Sequence, residues 1–440
     1  MAMRDRYLHL GAWGLAIERK QASEEGRKIT HLEDRFETLI KRSRRGEAVE
    51  VEAGRLLEEV QAIEAGEQGW AEPTRLNAIH QLRPNGPRTV NTPRSPQSHV
   101  LGAWQGRCAG CLLGKPIETL PAEAVWDRLH QADAFPLETY LSQAQLGDEL
   151  TEAIPSHNRT FADTVSCMPR DDDLDYTVLG LSRLQKHGLS ISSTEIAAGW
   201  LDQLPIRRTY TAERVAYRNL VNGLDVPTTA AHRNPFREWI GALIRADIYG
   251  YTHLGRPERA ATLAWRDARI SHVGNGVYGA MWVAAMLAAA PVASDIRRMI
   301  EIGLSEIPAE SRLASCVESV MDWHEEGVAW TEAVDQLHDR WDDETHHDWL
   351  HVLCNAQAIT LGLLWSNENF GTGVTRTVHT GFDADCTGAT VGSILGMRVG
   401  ADGISPRWIE PLQNTIQTAI AARPQANITD VAEETTEIAA

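Results

Sequence analysis

An all-α fold follows from three features of the sequence. Apolar residues recur at the three- and four-residue spacing of a helix face through most of the 440 positions, and alternating strand patterns are nearly absent. Two segments also carry glycine at every fourth position. On a helix this leaves one face bare, so that another backbone can approach closely. Glycine costs a helix roughly 1 kcal/mol relative to alanine, so two such ladders need close packing to offset them.

The first 82 residues read as a charged helical extension. Leu32, Phe36, Leu39 and Ile40, then Leu56, Leu57, Val60 and Ile63, fall at helical spacing on two amphipathic helices, with a turn at Arg42 to Gly46. Residues 83–99, with Pro84, Pro87, Pro93 and Pro96 and few apolar side chains, read as a linker. One mostly helical domain then spans residues 100–422, and residues 423–440 read as a loose acidic tail.

Within the domain, Gly102, Gly106, Gly110 and Gly114 form the first ladder, which stops before Pro116 and leaves Glu118 just past its end. Cys108 and Cys111 lie among apolar residues and read as buried structural thiols. Asp171, Asp172, Asp173 and Asp175 open the helix that continues through Tyr176, Leu179 and Leu184. Phe236 to Asp247 reads as a helix carrying Arg245. Ser271 to Gly279 reads as a glycine-rich loop entering an alanine-rich helix, where loop amides can cradle a phosphate. His346, His347 and Asp348 read as a polar turn, with Asn355 at the start of the next apolar helix. Gly381, Asp383 and Asp385 precede the second ladder, Gly388, Gly392 and Gly396.

A formal charge of −18 argues against a nucleic-acid backbone or an anionic membrane as principal partner. No apolar run reaches membrane-spanning length, the longest being stopped by Pro291. Six cysteines are too sparse for a disulfide framework, and a cytoplasmic protein is the expectation. If the clusters Asp171–Asp175 and Asp383–Asp385 meet in the fold, they would repel unless hard divalent cations lay between them.

The segments Gly106 to Glu118, Met168 to Thr177 and Gly381 to Cys386, with Ile270 to Gly276, together resemble the ADP-ribosylglycohydrolase family over roughly Val100 to Met397. The resemblance implies an orthogonal multi-helix bundle holding two Mg2+ or Mn2+ ions at the floor of a cleft for ADP-ribose. It implies hydrolysis of an N- or O-glycosidic bond at the anomeric carbon, with an ADP-ribosylated protein or another ADP-ribosyl acceptor as substrate.

The family's metal ligands fall on Asp171, Asp172, Asp173, Asp383 and Asp385. Cys386 stands where a hydroxyl residue is usual, which leaves that position to Thr387 or to water. Phe382 stands where glycine is common, and a narrower cleft is expected there. Glu118, with Asp172 and Asp385, takes the catalytic role. Arg245, His272, Gly274, Asn275, Gly276 and Asn355 are assigned to the diphosphate and distal ribose. Three alternatives stay open: a glycohydrolase of smaller ribosyl compounds, a diphosphate-binding enzyme using the Asp-Asp-x-x-Asp pattern of prenyl and terpene chemistry, and a non-catalytic binding protein. The oligomeric state is left open.

Overall fold

The computed structural model describes residues 6–65 and 70–439. Helices dominate, and among the described residues the only sheet is the antiparallel pair β1 (Thr415–Gln417) and β2 (Gln425–Asn427). None of these helices is long and apolar enough to cross a membrane.

The extension holds three long helices rather than two, α1 (Ala12–Glu24), α2 (Glu33–Arg44) and α3 (Glu50–Ala62), followed by a short α4 (Leu76–Leu82). Leu15, Phe36, Leu56, Leu57 and Val60 form its own small core. The sequence pattern conceals α1 because its inward face carries Glu18 and Gln21, both fully buried. These groups meet the main body. Arg237 pairs through Nη1 with Glu18 Oε2 at 2.7 Å and through Nε with Glu25 Oε1 at 2.7 Å, and Gln21 Nε2 donates to Glu238 Oε2 at 2.7 Å. The residues expected as a polar turn form a short helix, His346–Leu350, whose His347 Nε2 lies 2.9 Å from Glu24 Oε2.

The linker carries no regular structure between α4 and α5 (Pro96–Gly114), but it is tied down: Arg88 Nη1 pairs with the buried Glu306 at 2.9 Å. Of residues 423–440, expected to be loose, those described instead include β2 and the helix Ile428–Ile438. Ile428, Val431 and Ala432 of that helix are buried in the main core, and Trp104 Nε1 of α5 donates to Thr435 Oγ1 at 3.1 Å. Apolar spacing in that helix is short and diluted by acids, so the sequence signal is weak.

At the centre, α5 packs antiparallel on the helix Ala384–Val399. Gly102 faces Gly396, Gly106 faces Gly392, Gly110 faces Gly388, and Gly114 faces Ala384, so that a methyl added at any of the four α5 glycines would run into the facing carbonyl oxygen. The helix Gly274–Ala289 is buried along its whole length beside them.

Candidate active site

The ladder contact sets the site. Because Gly114 abuts the backbone of Ala384 and Asp385, the turn after α5 delivers Lys115 and Glu118 to the N-terminal end of the Ala384–Val399 helix, where Asp383 and Asp385 sit. The second acidic group arrives through Arg107. Its fully buried guanidinium donates through Nη2 to Asp173 Oδ1 at 2.9 Å and through Nε to the Asp173 carbonyl at 3.2 Å, and pairs with Asp247 at 3.0 Å.

Asp171 is the N-cap of the helix Asp172–His187. Its Oδ1 accepts the Asp173 amide at 3.0 Å, which satisfies one open donor of the first turn. Its Oδ2 is paired with the buried Lys115 ammonium. Asp175 turns away from the cleft. It accepts from Arg170 Nε at 2.7 Å and from the Ala419 amide at 2.7 Å, tying the hairpin region to the site. The Asp-Asp-x-x-Asp pattern therefore does not present three carboxylates to one ligand.

Asp171, Asp172, Asp383, Asp385, Glu118 and Lys115 share one cavity of about 400 Å³. Two ligand groups emerge, each with its donor atoms within 4.8 Å of one another: Cys111, Asp171, Asp173 and Asp385, and Asp383, Asp385 and Cys386. Asp385 belongs to both. Burial and the neighbouring carboxylates Asp171 and Asp385 push Asp172 up to about 8, against the pull of Arg170. Burial and Asp385 likewise raise Asp383 and Glu118 well above the carboxylate range. Asp172, Asp383 and Asp385 have no ion-pair partner among the described residues, and Asp173 Oδ2 is buried without a hydrogen bond. Crowded, unpaired carboxylate oxygens are the donor set that hard divalent cations take, and the residues present fit such ions.

Several expected site residues lie elsewhere. Thr387 is fully buried and its hydroxyl donates back to the Asp383 carbonyl at 3.1 Å, so Cys386 and not Thr387 faces the carboxylates. Phe382 leaves the cleft open. Its φ of 56° turns the ring into a cluster with Leu337, Cys354 and Ala358, stacked on His338. Asn355 is buried and acts on the backbone, donating to the Trp349 and His351 carbonyls at 2.9 Å and accepting the Asp383 amide at 3.3 Å. It positions an acid and does not line the cleft.

Arg245 is 1% exposed and committed to Glu213 and Asp267 at 2.5 and 3.0 Å. The expected helix around it is a 3-10 turn, Ile240–Arg245. In the loop, His272 and Gly276 are buried, and Gly274 borders a separate cavity shared with Glu25, Arg237 and Arg312. The Asn275 amide and side chain both donate to Glu238 Oε1, at 2.9 and 3.0 Å. A carboxylate of the chain itself thus fills the place where a phosphate was expected.

Sequence reasoning missed Cys111 and Lys115, both within reach of the acids. Their spacing after Gly110 and Gly114 put them on the ladder end, which was the available signal. It also missed the cleft wall contributed by Arg208, Tyr210, Trp239 and Trp349. His157 and Asn158 complete that wall, while Asn222 and His232 border a different cavity.

Helical architecture and a carboxylate centre held between facing helix ends define a class of all-α proteins with an acidic catalytic-type cleft. The chain belongs to the ADP-ribosylglycohydrolase family: the family's sequence profile matches residues 92–438. The family is one of glycohydrolases, and the match reaches through the C-terminal helix. Among solved structures, a chain from an ADP-ribosylglycohydrolase-related protein complex aligns at 16% identity and a TM-score of 0.48, covering 79% of this chain and 100% of that one. No curated protein matches.

Proposed function

We propose that the protein is a divalent-metal-dependent hydrolase of the glycosidic bond at the anomeric carbon of ADP-ribose, releasing the ADP-ribosyl group from an acceptor. The observation that carries this reading is the meeting of Asp171, Asp172, Asp383 and Asp385 with Glu118 in one cleft, with the buried Asp173 grouped behind Asp171 and Asp385. Mg2+ or Mn2+ would be held by these five aspartates, with Asp385 shared between two positions. Ions bound there would orient ribose hydroxyls and make a bound water a better nucleophile.

The chain's own groups supply the rest. Glu118 accepts a hydrogen bond from Asn158 Nδ2, which fixes its carboxyl. Burial and the neighbouring Asp385 raise its carboxyl well above the usual range, which suits a group that donates a proton to the leaving atom and then takes one back from water. Asp172, half-buried at the cleft wall, orients the sugar. The apolar side of the cleft, Trp239, Ile240, Ile244 and Trp349, limits water around the cation-like ribose that forms as the bond breaks.

A second reading, hydrolysis of a smaller ribosyl compound, is favoured by one observation: Glu238 closes the loop that was expected to take the diphosphate. The test is calorimetric titration of ADP-ribose into chelator-stripped protein with and without Mg2+ or Mn2+, followed by turnover of ADP-ribosylated arginine and serine. Metal-dependent binding and release are expected, and Asp385→Asn should lose both, with metal affinity falling about 100-fold. Metal-independent release by Asp385→Asn would overturn the assignment.

A further inference from the structure

In a chain of formal charge −18 the acidic cleft is also bordered by three arginines, Arg6, Arg170 and Arg208. They differ in what holds them. Arg170 is committed: Nε donates to Asp175, Nη1 to the Tyr210 hydroxyl at 3.0 Å, and Nη2 to the Arg208 carbonyl at 2.7 Å. It braces the Arg208 backbone and the Tyr210 ring against the cleft. The exposed Arg208 side chain makes no hydrogen bond or ion pair among the described residues.

Arg6 comes from the N-terminal extension, outside the family match at residues 92–438. Its guanidinium lies over the rings of Tyr7 and Trp13, 5.2 and 4.7 Å from the centroids, donates through Nη2 to the Tyr7 hydroxyl at 3.2 Å, and has Nη1 3.4 Å from His346 Nε2. Ring faces hold the guanidinium plane in place while leaving donors at its edge. Tyr7 is anchored in turn against Trp13 and Phe236. Two guanidiniums with no carboxylate partner among the described residues thus border a cleft whose other charged groups are mostly acids. The one loop that could have met a phosphate with backbone amides is filled by Glu238.

We propose that the N-terminal extension is part of the substrate site, with Arg6 and Arg208 binding a phosphate group carried by the ribosyl substrate. Guanidinium suits this ligand because its fork of donors matches phosphate oxygens. The inference rests on the ribosyl-hydrolase reading and adds to it that the chain outside the family domain helps select the substrate through its phosphate.

The test uses the full chain saturated with Mg2+ and three probes: ribose, ribose 5-phosphate and ADP-ribose. Wild type should bind the two phosphorylated probes more tightly than ribose. Arg6→Ala and Arg208→Ala should each weaken binding of ribose 5-phosphate and ADP-ribose about tenfold, with affinity for ribose and for Mg2+ unchanged. Arg6→Lys should recover part of the loss. Unchanged phosphate affinity in both variants, or an equal loss for ribose, overturns the assignment. Wild type that binds ribose as tightly as ADP-ribose overturns only the phosphate assignment, whereas wild type that binds none of the three overturns the ribosyl reading as well.

Discussion

Cys386 places a sulfur among oxygen donors, within 4.8 Å of the Asp383 and Asp385 carboxylates. Burial and the Asp173 and Asp383 charges raise its thiol well above the usual range, and a thiol is a poor donor to a hard cation. Cys386→Ser is expected to tighten Mg2+ binding a few-fold by calorimetry, with no gain or a loss for softer ions such as Zn2+. Glu118→Gln should leave metal affinity intact and lower kcat by about 10²–10⁴, the range for losing a general acid or base. At this scale the aspartates could be read because carboxylates in short runs at helix starts are conspicuous in a sequence. Lys115, Cys111 and Glu238 could not be read in the same way, since each acquires its meaning from a partner more than thirty-five residues away or from burial that composition does not reveal.

The two glycine ladders are the elements that the sequence announces most clearly, and the contact between them follows from period alone. Gly110→Ala would drive a methyl into the Gly388 carbonyl, backbone against backbone. Overpacking of this kind is expected to destabilise by about 1–3 kcal/mol or more, read as a lower denaturant midpoint, and to reduce metal affinity by moving Asp385 away from Asp173, which Arg107 of α5 holds. Gly188→Ala would meet nothing within 4 Å, although its φ of 73° strains any side chain, so it provides a control in which stability changes and metal affinity does not. Helix α1 and the C-terminal helix were harder to read for a common reason. Their buried faces include polar residues, so an apolar stripe is incomplete even though the face is inside. Arg245 shows the converse: a cation on an apolar stretch looked available for a ligand, yet Glu213 and Asp267 come from distant segments to meet it.

Across the whole molecule, the extension and the family domain share buried charge. Burial raises the Glu25 carboxyl, but the Arg237 and Arg27 guanidiniums more than offset this and lower it to about 2. A carboxyl lowered on folding contributes stability that is present above its unfolded value of 4.5 and is lost as pH falls through about 2. Glu18, raised by burial, titrates above 4.5 and so outside that window. Arg237→Met should cost about 3–5 kcal/mol at neutral pH by leaving Glu18 and Glu25 buried without a partner. Its stability should also be flatter than wild type between pH 4.5 and 2, as followed by tryptophan fluorescence of Trp13 against Phe236 and Trp239. The central ladders carry one further consequence for the assembled molecule. A repeat of four residues is a ruler with identical divisions: sliding one helix past the other by a single rung, about 6 Å, would seat glycine on glycine again while carrying Glu118 a full turn away from Asp385. Close approach and alignment are therefore separate problems here. The notch that selects the working alignment among near-equivalent ones is cut by the side chains that break the repeat, Arg107 gripping Asp173 and Asp247 at one division and Ala384 facing Gly114 at another.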